Sequence, residues 1–223
     1  MRIRRLRRSE LPVATVALTR FLIGKIVVHD LPEGRLSGRI VEAEAYPPGD
    51  PAGHHYRGPT PRIRSMYLAP GHAYVFFNYG AHFMLNVSAE PEGTAGGILI
   101  RAVEPIDGIA LMERNRGTTR RLDLTRGPGR LAAAFQIDRR QDGLDLCGPS
   151  QLWLGELEFA SPEQSVKPLA PRSSVDVHRP LRKLRIAKTV RIGITRAADL
   201  HLRFYERDNP FVSGPKRLLA PLK

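Results

Sequence analysis

The sequence predicts a single domain of the mixed α/β (α+β) class. Segments that alternate apolar and polar residues, as strands do, are interleaved with segments whose apolar residues recur at helical spacing. The 223 residues, 42% of them hydrophobic, are enough for one large core. No internal repeat, low-complexity block or linker divides the sequence. We therefore expect one domain over residues 9–223, preceded by a basic arm at residues 1–8.

The predicted elements follow one another along the chain. A first helix begins after Ser9, whose hydroxyl can cap it, and ends at Gly24. The patterns predict strands at 25–29, 35–46, 72–78, 82–88, 96–103, around Leu152, at 183–194 and at 202–205, and helices at 106–115 and 130–137. From 47 to 64, frequent prolines and glycines leave no room for a regular element, and a polar connection spans 160–174. Long irregular loops such as the one expected at 47–64 are often functional.

The strand that ends at Tyr46 carries the most informative pattern. Alternation places Ile40, Glu42, Glu44 and Tyr46 on one face and Val41, Ala43 and Ala45 on the other. The second face is small and apolar, so it packs on a core, and the acidic face opens onto a cleft or solvent. A carboxylate beside an aromatic ring in a cleft is a candidate general base. The alternative is a surface strand with solvated glutamates.

An arginine lies within one of the most apolar predicted strands. Arg101 is flanked by Ile98, Leu99, Ile100, Ala102 and Val103. An arginine in such a run is either paired or turned to water at the end of the strand. Glu44 is a plausible partner for it.

The charge balance points to a polyanionic partner. A formal net charge of +13 and a pI of about 10.6 make nucleic acid the first candidate and an acidic membrane surface the second. No apolar run approaches the span of a bilayer, and no basic amphipathic helix stands out, so we expect no membrane association.

Cysteine and histidine usage limits the possible metal and redox chemistry. Cys147 is the only cysteine, which excludes an internal disulfide and a thiolate zinc cluster and makes the cytoplasm the simplest location. The arginine-rich start lacks the apolar core of a secretory signal. Asp50 and His54 could invite a metal ion, but no third ligand follows at a useful spacing, so we expect no metal.

A predicted hairpin carries an aromatic residue at its tip. Two apolar runs, 72–78 and 82–88, flank Tyr79-Gly80-Ala81. An exposed tip aromatic can act as a wedge between base pairs, as minor-groove proteins use apolar side chains. Alternatively, the ring of Tyr79 folds back on its own hairpin.

Taken in order, the motifs are similar to those of a known family. They are Glu42-Ala-Glu-Ala-Tyr46, Asp50-Pro-Ala-Gly-His54, Tyr56-Arg-Gly58, Thr60-Pro-Arg62, Pro70-Gly-His-Ala-Tyr-Val75, Asn78-Tyr-Gly80, Leu85-Asn86, Leu99-Ile-Arg-Ala102, Glu104-Pro105, Gly127-Pro-Gly129, Arg203-Phe-Tyr205 and Asn209-Pro-Phe-Val212. Together they resemble the alkyladenine (3-methyladenine) DNA glycosylase family over nearly the whole chain.

The resemblance implies a monofunctional base-excision repair enzyme without a metal or redox cofactor. Its expected fold is one domain around a curved, mainly antiparallel sheet with flanking helices. Its expected partner is double-stranded DNA that contains an alkylated or deaminated purine. We also expect a monomer in the cytoplasm, associated with the nucleoid.

By the same resemblance, several residues acquire roles. Glu44 looks like the general base that activates water, and Arg101 and the backbone carbonyl of Val212 would help to hold that water. Tyr46, His54 and Phe76 would form the pocket around the extruded purine. Asn86 would screen against groups at the 2-position of that purine, and Tyr79 would be the wedge. Phe76 departs from the tyrosine of many relatives, and because the segment after Tyr46 is one residue short, either His54 or the adjacent His55 lines the pocket.

Two other functions fit parts of the sequence. A non-catalytic RNA- or ribosome-binding protein would use the same charge and the same aromatic hairpin. A cleft hydrolase could use the Glu42 and Glu44 pair on a small substrate, although the net charge of +13 makes this less natural.

The wedge hypothesis predicts a context-dependent loss of activity. Stacking of an aromatic side chain on a base is worth about 1–3 kcal/mol, so Tyr79→Ala should lower the single-turnover rate of excision from duplex DNA by about 10- to 100-fold. Excision from single-stranded DNA should change little, because no partner strand competes for the extruded nucleotide. Equal losses in both contexts would show that Tyr79 supports the fold or the pocket instead.

Overall fold

The computed structural model describes residues 2–78, 80–158 and 184–219. Tyr79, the connection expected at 160–174 and the start of the strand expected at 183 lie outside these residues. The described residues form a mixed α/β domain on an open, antiparallel sheet with helices packed against it. This architecture confirms the predicted fold class.

The elements are numbered here in chain order. The strands are β1 (Arg2–Arg5), β2 (Ile26–Leu31), β3 (Gly34–Tyr46), β4 (Ala73–Asn78), β5 (His82–Ser88), β6 (Gly97–Asp107), β7 (Leu152–Glu158), β8 (Ile186–Thr189) and β9 (Arg203–Glu206). The α-helices are α1 (Thr15–Leu22), α2 (Ile109–Arg116), α3 (Arg121–Thr125) and α4 (Pro128–Ala134). Within the described ranges, no helix has the length and apolar character needed to cross a membrane.

Strand β3 is the centre of the sheet. The main path of strands runs β1-β7-β2-β3-β6-β5-β4, and β8 and β9 lie off this path. One edge of β3 pairs with β6, whereas the other pairs first with β2 and then, at Glu42–Glu44, with β9. The second half of β3 is therefore enclosed by β6 and β9.

The two faces of the sheet have different roles because side chains alternate along each strand. One face packs with α1 and α4 in the main core, to which the strands contribute Ala43, Ala45, Val75, Leu85, Val87, Ile98 and Ile100. The neighbouring positions on the same strands point to the opposite side and include Glu44, Tyr46, Tyr74, Phe76, Asn86, Leu99 and Arg101. Alternation of side chains along these four strands thus places core residues on one face of the sheet and the candidate-site residues on the other.

Two irregularities in the pairing of β3 and β6 change the predicted faces. Beyond a first shift at Ser37–Gly38, the register skips Val41 on β3 and then Arg101 on β6, so a bulge lies at each of these two residues. Ile40 consequently packs in the main core with Ala43, while Val41 packs in a second cluster with Val212. The alternation inferred from sequence assigned Ile40 and Val41 the other way round, and it is wrong for these two residues. The second bulge lies at Arg101 itself.

The N-terminal arginines do not form the free arm that the sequence predicted. Arg2–Arg5 is an edge strand that pairs with β7, and the following Leu6 is completely buried, with its N–H bonded to the Leu154 carbonyl at 2.9 Å. Arg4 forms ion pairs with Glu10 at 2.8 Å and with Glu156 at 3.2 Å. Ile3 packs against the cluster of Ile26, Val28 and Trp153, a contact that the high charge of this segment obscured in the sequence.

Two other local predictions need correction. The first helix begins at Thr15 rather than after Ser9, because the Glu90 carboxylate accepts hydrogen bonds from the N–H and the hydroxyl of Thr15 at 2.8 and 2.6 Å. The segment 47–64 was expected to have no regular element, yet it contains the 3₁₀ helix His54–Arg57 and the start of a second, Pro61–Tyr67. Pro61 is acceptable there because the first N–H of a helix has no intrahelical partner.

The N-terminal strand should contribute to stability. Leu6→Ala should lower the free energy of unfolding by about 2–5 kcal/mol, the usual cost of truncating a buried leucine. Leu200→Ala is a matched control, because Leu200 is 43% exposed and its loss should cost no more than about 0.5 kcal/mol. Denaturant unfolding measures both, and equal midpoints for the two variants would show that the N-terminal segment does not belong to the core.

Candidate active site

A cavity of about 640 Å³ lies on the polar face of the sheet. Its lining includes Tyr46 from β3, Tyr74 and Phe76 from β4, Met84 and Asn86 from β5, Leu99 and Arg101 from β6, His54 from the first 3₁₀ helix, and residues 192–196 that follow β8. Four neighbouring strands thus build the floor, and two loop segments build the walls. Aromatic rings form a large part of the lining.

Glu44 is completely buried directly beneath this cavity. Its Oε1 accepts a hydrogen bond from the Ile192 N–H at 2.8 Å and forms an ion pair with Arg101 Nη1 at 3.1 Å. Its Oε2 accepts the Tyr46 hydroxyl proton at 2.9 Å. All three donor residues line the cavity, so the carboxylate is one side chain away from it. The expected pairing of Arg101 with Glu44 is confirmed, and the alternative of a solvated glutamate is wrong.

Glu42 is also completely buried and lies between two arginines. Its Oε1 accepts from the Nε atoms of Arg101 at 2.8 Å and of Arg203 at 2.6 Å, and its Oε2 accepts from the Ser213 N–H at 2.6 Å. Arg101 therefore joins the two carboxylates. Burial lowers the pKa of Arg101, but the charges of Glu44 and Glu42 outweigh this effect and raise that pKa above its ordinary value. The two glutamates, Arg101 and Arg203, hereafter the charge cluster, balance in formal charge.

Three aromatic side chains pack together at one wall of the cavity. The rings of Tyr74 and Phe76 are stacked with centroids 5.4 Å apart, and His54 meets Phe76 edge-on at 4.5 Å. The Tyr74 hydroxyl lies 2.9 Å from His54 Nδ1. Desolvation of the packed ring, with repulsion from Arg62, lowers the pKa of His54, which favours the neutral imidazole at pH 7.

The structure distinguishes the two adjacent histidines. His54 lines the cavity, whereas His55 is buried and its Nε2 lies 2.8 Å from the Pro47 carbonyl. His54 is therefore the histidine that can contact a ligand.

On Tyr46, burial and the neighbouring Glu44 charge raise the pKa of the phenol, so its hydroxyl remains a donor.

Asn86 and Val212 lie at different ends of the site. Asn86 is 6% exposed on the cavity floor, and its Nδ2 donates to the Tyr74 carbonyl at 3.1 Å, which fixes the amide. Val212 is buried in the second cluster, and its carbonyl accepts from Arg126 Nε at 2.9 Å. The next residue, Ser213, contacts Glu42, so Val212 lies at the Glu42 end of the charge cluster. The water-holding role expected for Val212 stays a prediction.

Sequence reasoning missed the partners of two buried arginines near the site. Arg203 is completely buried and pairs with Glu42; its place in a short apolar run resembles that of Arg101 and could have indicated a buried partner. Arg191 forms a buried ion pair with Asp50. The sequence assigned Arg191 to a strand at 183–194, but β8 ends at Thr189 and Arg191 lies in the loop that follows. Asp50 was considered only as a metal ligand, and neither local pattern predicts the contact between the two residues.

Neutralising a carboxylate of the charge cluster should destabilise the protein more than neutralising a partly exposed carboxylate. Glu42→Gln should lower the free energy of unfolding by about 3–5 kcal/mol, because it leaves Arg101 and Arg203 buried with insufficient negative charge. Glu104→Gln is a suitable control, since Glu104 also pairs with an arginine but its side chain is 34% exposed, and its loss should cost less than about 1 kcal/mol. Chemical denaturation measures both values, and similar costs for the two variants would contradict the prediction.

Comparison with known proteins shows what this arrangement resembles. The family model described as methylpurine-DNA glycosylase matches residues 9–210. A protein of Mesorhizobium japonicum named as a 3-methyladenine DNA glycosylase is 54% identical over 211 residues, covering 95% of this chain and 91% of the relative. Relatives with the same name in Paraburkholderia phytofirmans and Chlorobium phaeobacteroides are 48% and 42% identical, covering 96% and 91% of this chain and 90% and 92% of their own lengths. The chain belongs to the methylpurine-DNA glycosylase family.

Proposed function

We propose that the protein is a monofunctional DNA glycosylase that turns a damaged purine out of duplex DNA and hydrolyses its N-glycosidic bond with water activated by Glu44. The observation that carries the proposal is the buried Glu44 carboxylate, held by Arg101, the Ile192 N–H and the Tyr46 hydroxyl beneath an aromatic cavity. These contacts fix the position of the carboxylate next to the cavity, which a general base requires.

The size and lining of the cavity support a purine as its occupant. A volume of about 640 Å³ lies within the range of about 300–1,000 Å³ that is typical of small-molecule sites. Tyr46, His54 and Phe76 offer aromatic surface for stacking, which is strengthened when the base is cationic. The neutral imidazole of His54 avoids repelling a cationic alkylpurine.

The cavity rim supports DNA as the carrier of that base. Arg57 and Arg196 line the cavity and are exposed, and the exposed Arg62 lies 5.9 Å from the Phe76 ring centroid. Exposed guanidinium groups around an aromatic pocket suit a phosphate backbone beside an extruded nucleotide. A base inside a duplex cannot reach a buried carboxylate, so the nucleotide must leave the stack, at a cost of a few kcal/mol that is smaller for damaged pairs.

The chemistry needs one carboxylate and one water. As the bond between the sugar C1′ and the purine nitrogen breaks, its electron pair leaves with the base, and the sugar gains oxocarbenium character that Glu44 stabilises. The water oxygen bonds to C1′, and Glu44 takes the released proton. Glu44 Oε2 accepts from Tyr46 and has a further lone pair for the water. Arg101 contacts both Glu44 and the cavity, which suits it to hold that water.

Substrate choice follows from the leaving group and from the cavity floor. A cationic alkylpurine leaves as a neutral base without a proton donor, and the relatives are named for 3-methyladenine, so alkylated purines are the proposed main substrates. The fixed amide of Asn86 would meet a group at position 2 of a bound purine, which would disfavour guanine. Tyr79 remains the proposed wedge and Val212 a proposed water ligand.

The other functions considered from sequence are less consistent with this site. A non-catalytic RNA- or ribosome-binding protein has no need of a buried carboxylate beneath a cavity. A hydrolase that uses Glu42 and Glu44 as a catalytic pair would need both carboxylates next to the cavity. All three partners of Glu44 line the cavity, whereas Arg203 and Ser213, which hold Glu42, are not among its lining residues.

Replacement of Glu44 tests the proposed function. Glu44→Gln should preserve binding to a lesion-containing duplex and lower the single-turnover excision rate by about 100- to 10,000-fold, the usual contribution of a general base. A panel of single-lesion duplexes, treated with alkali to reveal abasic sites, measures excision of each damaged purine.

The control for this experiment is Glu42→Gln, measured per folded molecule. Its excision rate should fall much less than that of Glu44→Gln, because Glu42 acts on the arrangement of arginines and not on the water. Near-normal turnover in Glu44→Gln would end the assignment, and a reversed order of the two variants would identify Glu42 as the base.

A further inference from the structure

We propose that Arg191, held by Asp50, is a positioning residue that fixes two of the three donors that orient Glu44. The inference rests on the proposed function of Glu44. Neither Arg191 nor Asp50 is among the described residues that line the cavity, so the pair would act through its neighbours and not on the substrate.

The Arg191 side chain joins three separate segments of the chain. Its Nη1 donates to the Ala45 carbonyl on β3 at 3.0 Å and forms an ion pair with Asp50, and its Nη2 donates to Asp50 Oδ1 at 3.1 Å and to the Ala197 carbonyl at 3.3 Å. The side chains of Arg191 and Asp50 are 0% and 1% exposed. This set of contacts ties both ends of the 191–197 loop to the end of β3.

The first route to Glu44 passes through the backbone. Ile192 follows Arg191 directly, and its N–H donates to Glu44 Oε1 at 2.8 Å. The loop has no regular hydrogen-bonded structure after β8 ends at Thr189. Anchoring Arg191 therefore fixes the peptide that presents this N–H to the carboxylate.

The second route passes through an aromatic ring. The Arg191 guanidinium lies 4.6 Å from the centroid of the Tyr46 ring, and the Tyr46 hydroxyl donates to Glu44 Oε2 at 2.9 Å. A guanidinium stacked on one ring face limits ring motion and leaves the opposite face for a base. Arg191 thus constrains a donor on each oxygen of Glu44.

Net stabilisation is a poor explanation for such a pair. The desolvation of two buried charges offsets most of their attraction, so a buried ion pair contributes little to stability compared with apolar residues. Its geometry, in contrast, is specific. A planar guanidinium donates along fixed directions in one plane while its face lies over a ring, so Arg191→Lys would keep the charge and lose the arrangement.

The test uses Arg191→Lys with Arg39→Lys as its matched control. Arg39 lies on β3 and pairs with two carboxylates, those of Glu104 and Glu206, neither of which holds Glu44 or Tyr46. Arg191→Lys should lower the single-turnover excision rate by about 10- to 100-fold, equivalent to losing one hydrogen bond to a charged group. The rate is expressed per active molecule by active-site titration, which removes the effect of partial unfolding. Arg39→Lys should change it by less than about 2-fold.

A double-mutant cycle with Glu44→Gln separates positioning from general structural damage. If Arg191 acts through Glu44, adding Arg191→Lys to Glu44→Gln should lower the residual rate by less than about 2-fold. Multiplying losses would overturn the inference while leaving the role of Glu44 intact. Near-normal excision by Glu44→Gln alone would overturn the proposed function and the inference with it.

A second variant keeps the inference testable if Arg191→Lys does not fold. Asp50→Asn retains the shape of the side chain and an oxygen for the Ala52 N–H, which now donates to Asp50 Oδ1 at 2.9 Å, but it removes the charge that holds Arg191. The same loss of rate, and the same cancellation in the Glu44→Gln background, are expected. An unchanged rate in Asp50→Asn would overturn the inference.

Discussion

The contact of Arg101 with both Glu42 and Glu44 is the interaction on which the rest of the site depends. Two carboxylates two residues apart on one strand are fully buried, which is tolerable only when positive charge and hydrogen-bond donors surround them. Arg101 meets this need from β6, and Arg203 meets it from β9. The strands on both edges of β3 are therefore linked by charge as well as by backbone pairing.

The bulges in β3 and β6 reconcile this charge cluster with a regular core. Without them, strict alternation would continue the same faces along the whole of β3. Skipping Val41 and Arg101 restores the register after two residues, so the apolar face continues through Ala43 and Ala45 while the other face receives a guanidinium. The bulge locates Arg101 between the carboxylates, in keeping with the frequent occurrence of bulges next to active sites.

Much of the fold and part of the site could be predicted from sequence, for a physical reason that also sets the limit. Alternation is a local property, so the strands, the face of Glu44 and the pairing need of Arg101 are visible in short windows. Contacts between distant segments are not: Asp50 and Arg191 are far apart in sequence, and only the folded chain shows that they form an ion pair. The N-terminal strand was missed because its partner, β7, lies about 150 residues away. The bulges also escaped detection, since they depend on the pairing of two strands.

The position of β9 and the 191–197 loop has a consequence for protein synthesis. Glu42 and Glu44 leave the ribosome well before Ile192, Arg203 and Ser213, which hold them from positions 148 to 171 residues further along the chain. A domain generally folds as a unit. A nascent chain that ends at β7 contains the strands of the main path, yet its two carboxylates lack the donors of Ile192, Arg203 and Ser213. Completion of the candidate site thus requires synthesis of the segment from Ile192 to Ser213, and a chain terminated at β7 would carry both carboxylates without these donors.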